Sequence, residues 1–206
     1  MSISSDLITL KNVVDEKLFF KIPIYQRLFV WGDSQVKTLL QDLLSAYQAK
    51  KSIFYLGGVL VVERSEPLAK KLTFFDLIDG QQRFTTLWMM SIVLSELLAK
   101  KQSSAHPIHK FCYTNEAKRK RPRIEFLIRD DVNDYFAARL NANEAILPTE
   151  PRLIDAQASI LSFLGEQEKD AEFYLADFAS FIFTKVSLVM TSVPSHTDLN
   201  KLFEVI

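Results

Sequence analysis

Hydrophobic and polar positions change period several times along the chain, and each change predicts an element. From Leu18 to Ile24 the residues are largely apolar and read as a strand running into "IPIYQRLFVWG". Asp33 then stands where a helix cap belongs, and Val36, Leu39, Leu40, Leu43, Leu44 and Tyr47 follow at helical spacing. "IFYLGGVLVVE" and "LTFFDLID" are β-rich runs joined by the polar "RSEPLAKK", a pattern that predicts an antiparallel hairpin with a long loop. A second helix is expected from Gln81 to Lys100, with Phe84, Leu87, Trp88, Ser91, Leu94 and Leu98 on its buried stripe. "KKQSSAHP" breaks it.

The second half reads differently. "RIEFLIRDDVNDYF" predicts a short strand leading into a helix, and residues 141 to 182 form a helical section in which Pro148 and Pro151 open one helix. The acidic "GEQEKDAE" separates that helix from "FYLADFASFIF". "KVSLVMTSV" is the last strand, with Val186, Leu188 and Met190 on one face, and Pro194 ends it. The final "LNKLFEVI" sets Leu199, Leu202, Phe203 and Ile206 at helical spacing with no capping glycine, asparagine or proline behind them, so a fragment of a longer protein is expected. The fold class expected is α+β: a small mixed sheet from the N-terminal half with helices packed on it, then a mainly helical section after about residue 130.

Nearly half of the 206 residues are hydrophobic, which is enough for a sizeable core. Lysine plus arginine and aspartate plus glutamate each total 25, so no global field draws nucleic acid or an anionic membrane, and any such contact is local. Cys112 is the single cysteine and makes no internal disulfide. The first twenty residues alternate polar and apolar without a signal segment, and no apolar run reaches the length of a membrane span, so a cytoplasmic protein with no membrane partner is expected.

Five glycines, at 32, 57, 58, 80 and 165, exclude both a P-loop and a GxGxxG dinucleotide loop. His106 and His109 form an HxxH pair on a polar loop, and with His196 and one cysteine they make a poor zinc set. Lys118, Arg119, Lys120, Arg121 and Arg123 are five basic residues in eight; they could meet phosphates, but with no interleaved aromatic residue a solvated loop is the plainer reading. Gly57 and Gly58 inside a strand mark a bulge or let a ligand approach the backbone closely.

"LIDGQQRFTTLWMM" carries the densest chemistry. If Asp79 ends a strand and Gly80 makes the turn, Gln81, Gln82 and Arg83 occupy the first turn of the next helix. Its free N–H groups and dipole form an anion site there, and Arg83 adds a forked cation suited to phosphate. Thr85 and Thr86 could add hydroxyl donors. Asp79 could hold a metal-bound water, position Arg83 or merely cap the helix, and the bland alternative leaves Arg83 on the surface. Tyr25, Gln26 and Arg27 set a stacking ring, an amide and a cation just after a strand, which suits a base or a phosphate; the alternative is core packing by Tyr25, Phe29 and Trp31.

"IPIYQRLFVWG", "YLGGVLVVE" and "LIDGQQRFTTL", in this order and spacing, closely resemble the N-terminal domain of the GmrSD-type modification-dependent restriction systems, a family with a ParB and sulfiredoxin-like core. "PRIEFLIRDD" and "LNKLFEVI" extend the resemblance over essentially the whole chain. It implies a nucleotide-binding core over residues 1–130, with residues 131–206 a mainly helical section of the same domain. It implies that Asp79, Gly80, Gln81, Gln82 and Arg83 bind and hydrolyse a nucleoside triphosphate with Mg²⁺, near Gly57 and Gly58, the ion held through Asp79. It implies further that Tyr25, Gln26 and Arg27 sense modified DNA at the same pocket or a nearby surface. An HNH-type nuclease domain follows in many members, outside these residues. A nucleotide-binding switch without hydrolysis and a DNA-binding adaptor are the rival functions.

Overall fold

The computed structural model describes residues 3–64, 72–101, 105–116, 119–127, 129–141, 150–195 and 197. The helix expected over "LNKLFEVI" and most of "RSEPLAKK" lie outside them, as do Lys118, Pro148 and His196.

The chain opens with strand β1 (Ser4–Thr9) and helix α1 (Leu10–Asp15), two short elements that the periodicity misses. Thr9 makes the junction: its hydroxyl accepts the N–H of Asn12 at 3.2 Å. β2 (Leu18–Ile22) and α2 (Asp33–Gln48) fall where expected, and Val36, Leu39, Leu40, Leu43 and Leu44 are buried. The cap is a correction. Gly32, not Asp33, is the N-cap: its carbonyl accepts the N–H of Val36 at 3.2 Å, and the Gln35 side chain accepts the Gly32 N–H at 3.1 Å. Asp33 sits in the first turn, where its carboxylate accepts from Ser159 at 2.7 Å and pairs with Lys37 at 2.8 Å.

β3 (Phe54–Arg64) and β4 (Thr73–Asp79) form the antiparallel pair, and α3 (Gln81–Lys101) follows one residue later. Burial of α3 extends well beyond the expected stripe, because sheet and helices enclose it: Phe84 stands 4.5 Å from the Phe20 ring, and the Trp88 indole donates to the Cys112 carbonyl at 2.9 Å. A short turn of helix, α4 (His109–Cys112), leads into the hairpin β5 (Tyr113–Glu116) and β6 (Arg119–Pro122). Arg119, Lys120 and Arg121 of the basic run are therefore strand, not loop, and Arg123 behind them is buried. β7 (Ile124–Phe126), α5 (Asp130–Leu140), α6 (Pro151–Gln167), α7 (Leu175–Thr184) and β8 (Val186–Val193) complete the chain.

Six strands make one mixed sheet in the order β1-β8-β3-β4-β2-β7. β8 lies parallel to β3 and antiparallel to β1, so the sheet is not built from the N-terminal half alone. β2 lies parallel to both β4 and β7, which brings the ends of β2 and β4 to the same edge of the molecule. Helices α2, α3, α6 and α7 pack together with one face of the sheet in the main core. On the opposite face Phe19 meets Phe74, and Val62, Ile78 and Val193 form a second, smaller cluster. Among the described residues no helix is long and apolar enough to cross a membrane.

Candidate functional site

Because β2 and β4 run in the same direction, the loop after β2 and the turn after β4 emerge side by side. Gly80 makes that turn with φ +79°, and a Cβ there would stand 2.7 Å from the Gly58 carbonyl oxygen, so only glycine fits both the backbone and the space. The Gly80 carbonyl takes the N–H of Phe84 at 3.0 Å and starts α3. The N–H groups of Gln81, Gln82 and Arg83 donate to nothing among the described residues, as a first helical turn requires. The Asp79 side chain is exposed and neither caps the helix nor pairs with Arg83.

Three glutamines stitch the two motifs together. Gln26 donates to the Ile78 carbonyl at 2.7 Å, and Gln81 donates to that of Arg27 at 2.6 Å. The Gln82 amide nitrogen donates to Leu28 at 3.1 Å, while its oxygen accepts the N–H of Val30 at 2.8 Å and of Trp31 at 3.3 Å. Both Gln81 and Gln82 are only 6% exposed. Gln81 Oε1 is buried without a hydrogen-bond partner, an acceptor with capacity to spare at the turn. Thr85 and Thr86 point into the protein, and the Thr86 hydroxyl donates to the Gln82 carbonyl at 2.8 Å.

Arg83 reaches back along β3. Its guanidinium donates to the Gly58 carbonyl at 3.3 Å, and a Cβ at Gly57 would stand 2.5 Å from Nη1. Gly57, with φ +125°, occupies the bulge where β3 shifts register against β8. No carboxylate among the described residues pairs with Arg83. A cation in the first turn opposes the helix dipole, so this end of α3 carries two positive features; Asp79 stands just before the turn without pairing with Arg83.

The 24–30 loop presents a different surface. Tyr25 is 57% exposed, Arg27 is exposed, and Ile24, Leu28 and Val30 expose apolar surface beside them, while Phe29 is buried and Trp31 half-buried. Core packing therefore accounts for Phe29 and Trp31 but not for Tyr25. Partial burial of the Tyr25 hydroxyl, and then the Asp76 carboxylate, raise its pKa, against a smaller lowering by Arg64. Those two residues form an ion pair in which Arg64 Nη2 lies 2.6 Å from Asp76 Oδ2. Neither stood out in the sequence, where an aspartate inside an apolar run gives no sign of its partner.

Within this frame one comparison is decisive. The family model for the GmrSD restriction endonuclease N-terminal domain matches residues 7–206. The chain belongs to that family. The match takes in the GmrSD-like loop at Tyr25, the turn at Asp79 and the helical section together. Comparison with curated proteins finds no match.

Among the described residues no three His, Cys, Asp or Glu side chains converge on a metal position. A magnesium ion needs less from the protein, because it binds through one or two carboxylates plus substrate phosphates and water. The exposed Asp79 carboxylate fits that requirement.

Proposed function

We propose that this domain is the nucleotide-dependent sensor and nucleoside triphosphatase part of an anti-phage restriction system acting on modified DNA. One observation carries the reading: Arg83 and the free N–H groups of α3 form a positive site in which Arg83 has no ion pair among the described residues, and Gln81 and Gln82 fasten that site to the Tyr25 loop. Such a pair of positive features calls for an anion, and the phosphates of a nucleotide meet the need.

In this reading the α3 N-terminus and Arg83 hold the phosphates, with Gly57 and Gly58 leaving room for them. Asp79 would hold Mg²⁺, which would neutralise charge developing on the phosphates. Gln81 Oε1 positions the attacking water, whereas Gln82 braces the turn against the loop. Thr85 and Thr86, being internal, shape α3 rather than touch the ligand. Tyr25 and Arg27 face outward to meet DNA, and Gln26 transmits the state of the turn to them through Ile78. An HNH-type nuclease domain or subunit is the partner that would cut.

Calorimetric titration with Mg²⁺ and nucleoside triphosphates tests the reading, with phosphate release measured alongside. Binding without release would reduce the function to a switch. Binding to neither wild type nor any variant would leave the turn structural and favour a DNA-binding adaptor.

A further inference from the structure

A cavity of about 410 Å³ lies at the other end of the same strands. Lys17 and Leu72, which line it, precede β2 and β4, whereas the Tyr25 loop and Gly80 follow those parallel strands. Its cationic lining consists of Lys17, Lys110 and Arg123, with His109 and the rings of Phe19 and Tyr113 between them. No carboxylate appears among the described residues on its wall.

Arg123 is 4% exposed, yet all of its hydrogen bonds run to neutral carbonyls: Lys110 at 2.6 Å, Leu18 at 2.9 Å, Phe111 at 3.1 Å and Tyr113 at 3.4 Å. Its guanidinium lies 4.8 Å from the centre of the Phe19 ring. Carbonyls and a ring satisfy the N–H groups but leave the charge uncancelled, and one N–H on Nη1 remains. Burial lowers the pKa to about 10, so the group stays charged at neutral pH. Lys17 and Lys110 are exposed and form no ion pair among the described residues. Beside them Lys120 stands 4.7 Å over the Tyr113 ring, so the cations continue onto the β5–β6 hairpin.

We propose that this cavity is a second anion site, separate from the Asp79 turn, and that it takes phosphates of a DNA backbone. A free nucleotide or inorganic phosphate shares that chemistry. DNA is favoured because the cations are spread over several elements, as successive phosphates require, and because nothing there resembles a triphosphate cradle. The cavity has no glycine loop, and α4 is a single short turn.

The test uses a short labelled duplex and fluorescence anisotropy between about 50 and about 200 mM salt, comparing wild type with the double variants Lys17→Glu/Lys110→Glu and Lys17→Gln/Lys110→Gln. Both lysines are exposed, and thermal melting checks that each variant folds. The charge-reversed variant is expected to bind at least about tenfold more weakly at the lower salt, the salt slope falling by about 2 in both variants. Arg83→Ala, run in parallel, keeps its DNA affinity while Mg²⁺–nucleotide binding falls, so failure here is distinguishable from failure of the nucleotide reading. Wild type that does not bind duplex, or variants with unchanged affinity and slope, would overturn the proposal. So would variants that lose ATP or inorganic phosphate binding while keeping DNA, since the site would then serve a free anion.

Discussion

Gln82 and Val30 are 52 positions apart, and the side-chain oxygen of one accepts the backbone N–H of the other at 2.8 Å. The same amide also serves Trp31 and Leu28, so Gln82→Ala leaves three partly buried backbone groups without their partner. The expected cost is about 2 to 4 kcal/mol of stability, from the net worth of the bonds and the penalty of unpaired groups. Urea unfolding measures it, and limited proteolysis should find the 24–31 segment newly cleavable. An unchanged midpoint would show that the amide only decorates the loop.

Gly57 and Arg83 compete for the same space. Gly57→Ala should push the guanidinium away from β3 and also cost about 1 to 3 kcal/mol in strain, because alanine rarely adopts φ near +125°. Nucleotide affinity should fall with it, toward the loss of about 2 to 5 kcal/mol expected for Arg83→Ala if that charge meets phosphate. Gly58→Ala is the control: its Cβ would meet only the Val189 carbonyl at an ordinary 3.7 Å. Calorimetry should rank the losses Arg83→Ala, then Gly57→Ala, then Gly58→Ala, and equal affinities in all would return Arg83 to the surface.

Tyr25, Gln26 and Arg27 should separate by where their side chains point. Tyr25→Ala and Arg27→Ala remove exposed groups, and are expected to weaken retention of modified DNA while nucleotide affinity changes by no more than about threefold. Gln26→Ala releases the Ile78 carbonyl beside Asp79 and should disturb both assays. Asp79→Asn should slow phosphate release more than it weakens binding, because a carboxylate that positions an ion or water acts on the transition state. Loss of nucleotide binding in the Tyr25 variant would contradict this separation.

Local periodicity made α2, α3 and the β3–β4 pair legible, since each is specified by neighbours within one element or across one loop. β1 and α1 are too short for their patterns to rise above the alternation around them. The place of β8 was hidden for another reason: a strand's own residues announce its conformation but not the partner it pairs with. The Asp79 turn was readable as a helix start, down to the special glycine. What stayed hidden was the direction of each polar side chain, so Gln82 resembled a ligand contact and proves to hold a loop. Arg123 ended a run of charges and gave no sign that it turns inward.

Cys112 offers a check on the core that is independent of ligands. Its thiol is fully buried and donates to the Ile108 carbonyl at 3.7 Å, and burial drives its pKa far above the ordinary 9.0. Folded protein should therefore resist thiol reagents until it unfolds. The sign for stability follows: above pH 9 the unfolded chain releases this proton and the folded one keeps it, so stability should fall with rising pH by as much as about 1.4 kcal/mol per unit. Cys112→Ala should flatten that part of the profile in denaturant titrations. An identical slope would assign the loss to other groups, such as the tyrosines.

The parallel pairing of Phe54 with Val186 and of Gly57 with Leu188 has a consequence for how the protein comes into being. β3 is a middle strand, and the bulge that faces Arg83 is defined only when β8 lies against it. During synthesis the ribosome must therefore release well over a hundred further residues after the bulge before its final neighbour exists. Until then β3 has an open edge, of the kind that pairs with wrong partners, and closing so distant a contact is slow. A nascent chain halted before β8 would hold the whole Asp79 motif without the support of its last strand, so competence to bind a ligand should arrive late and abruptly rather than grow with chain length.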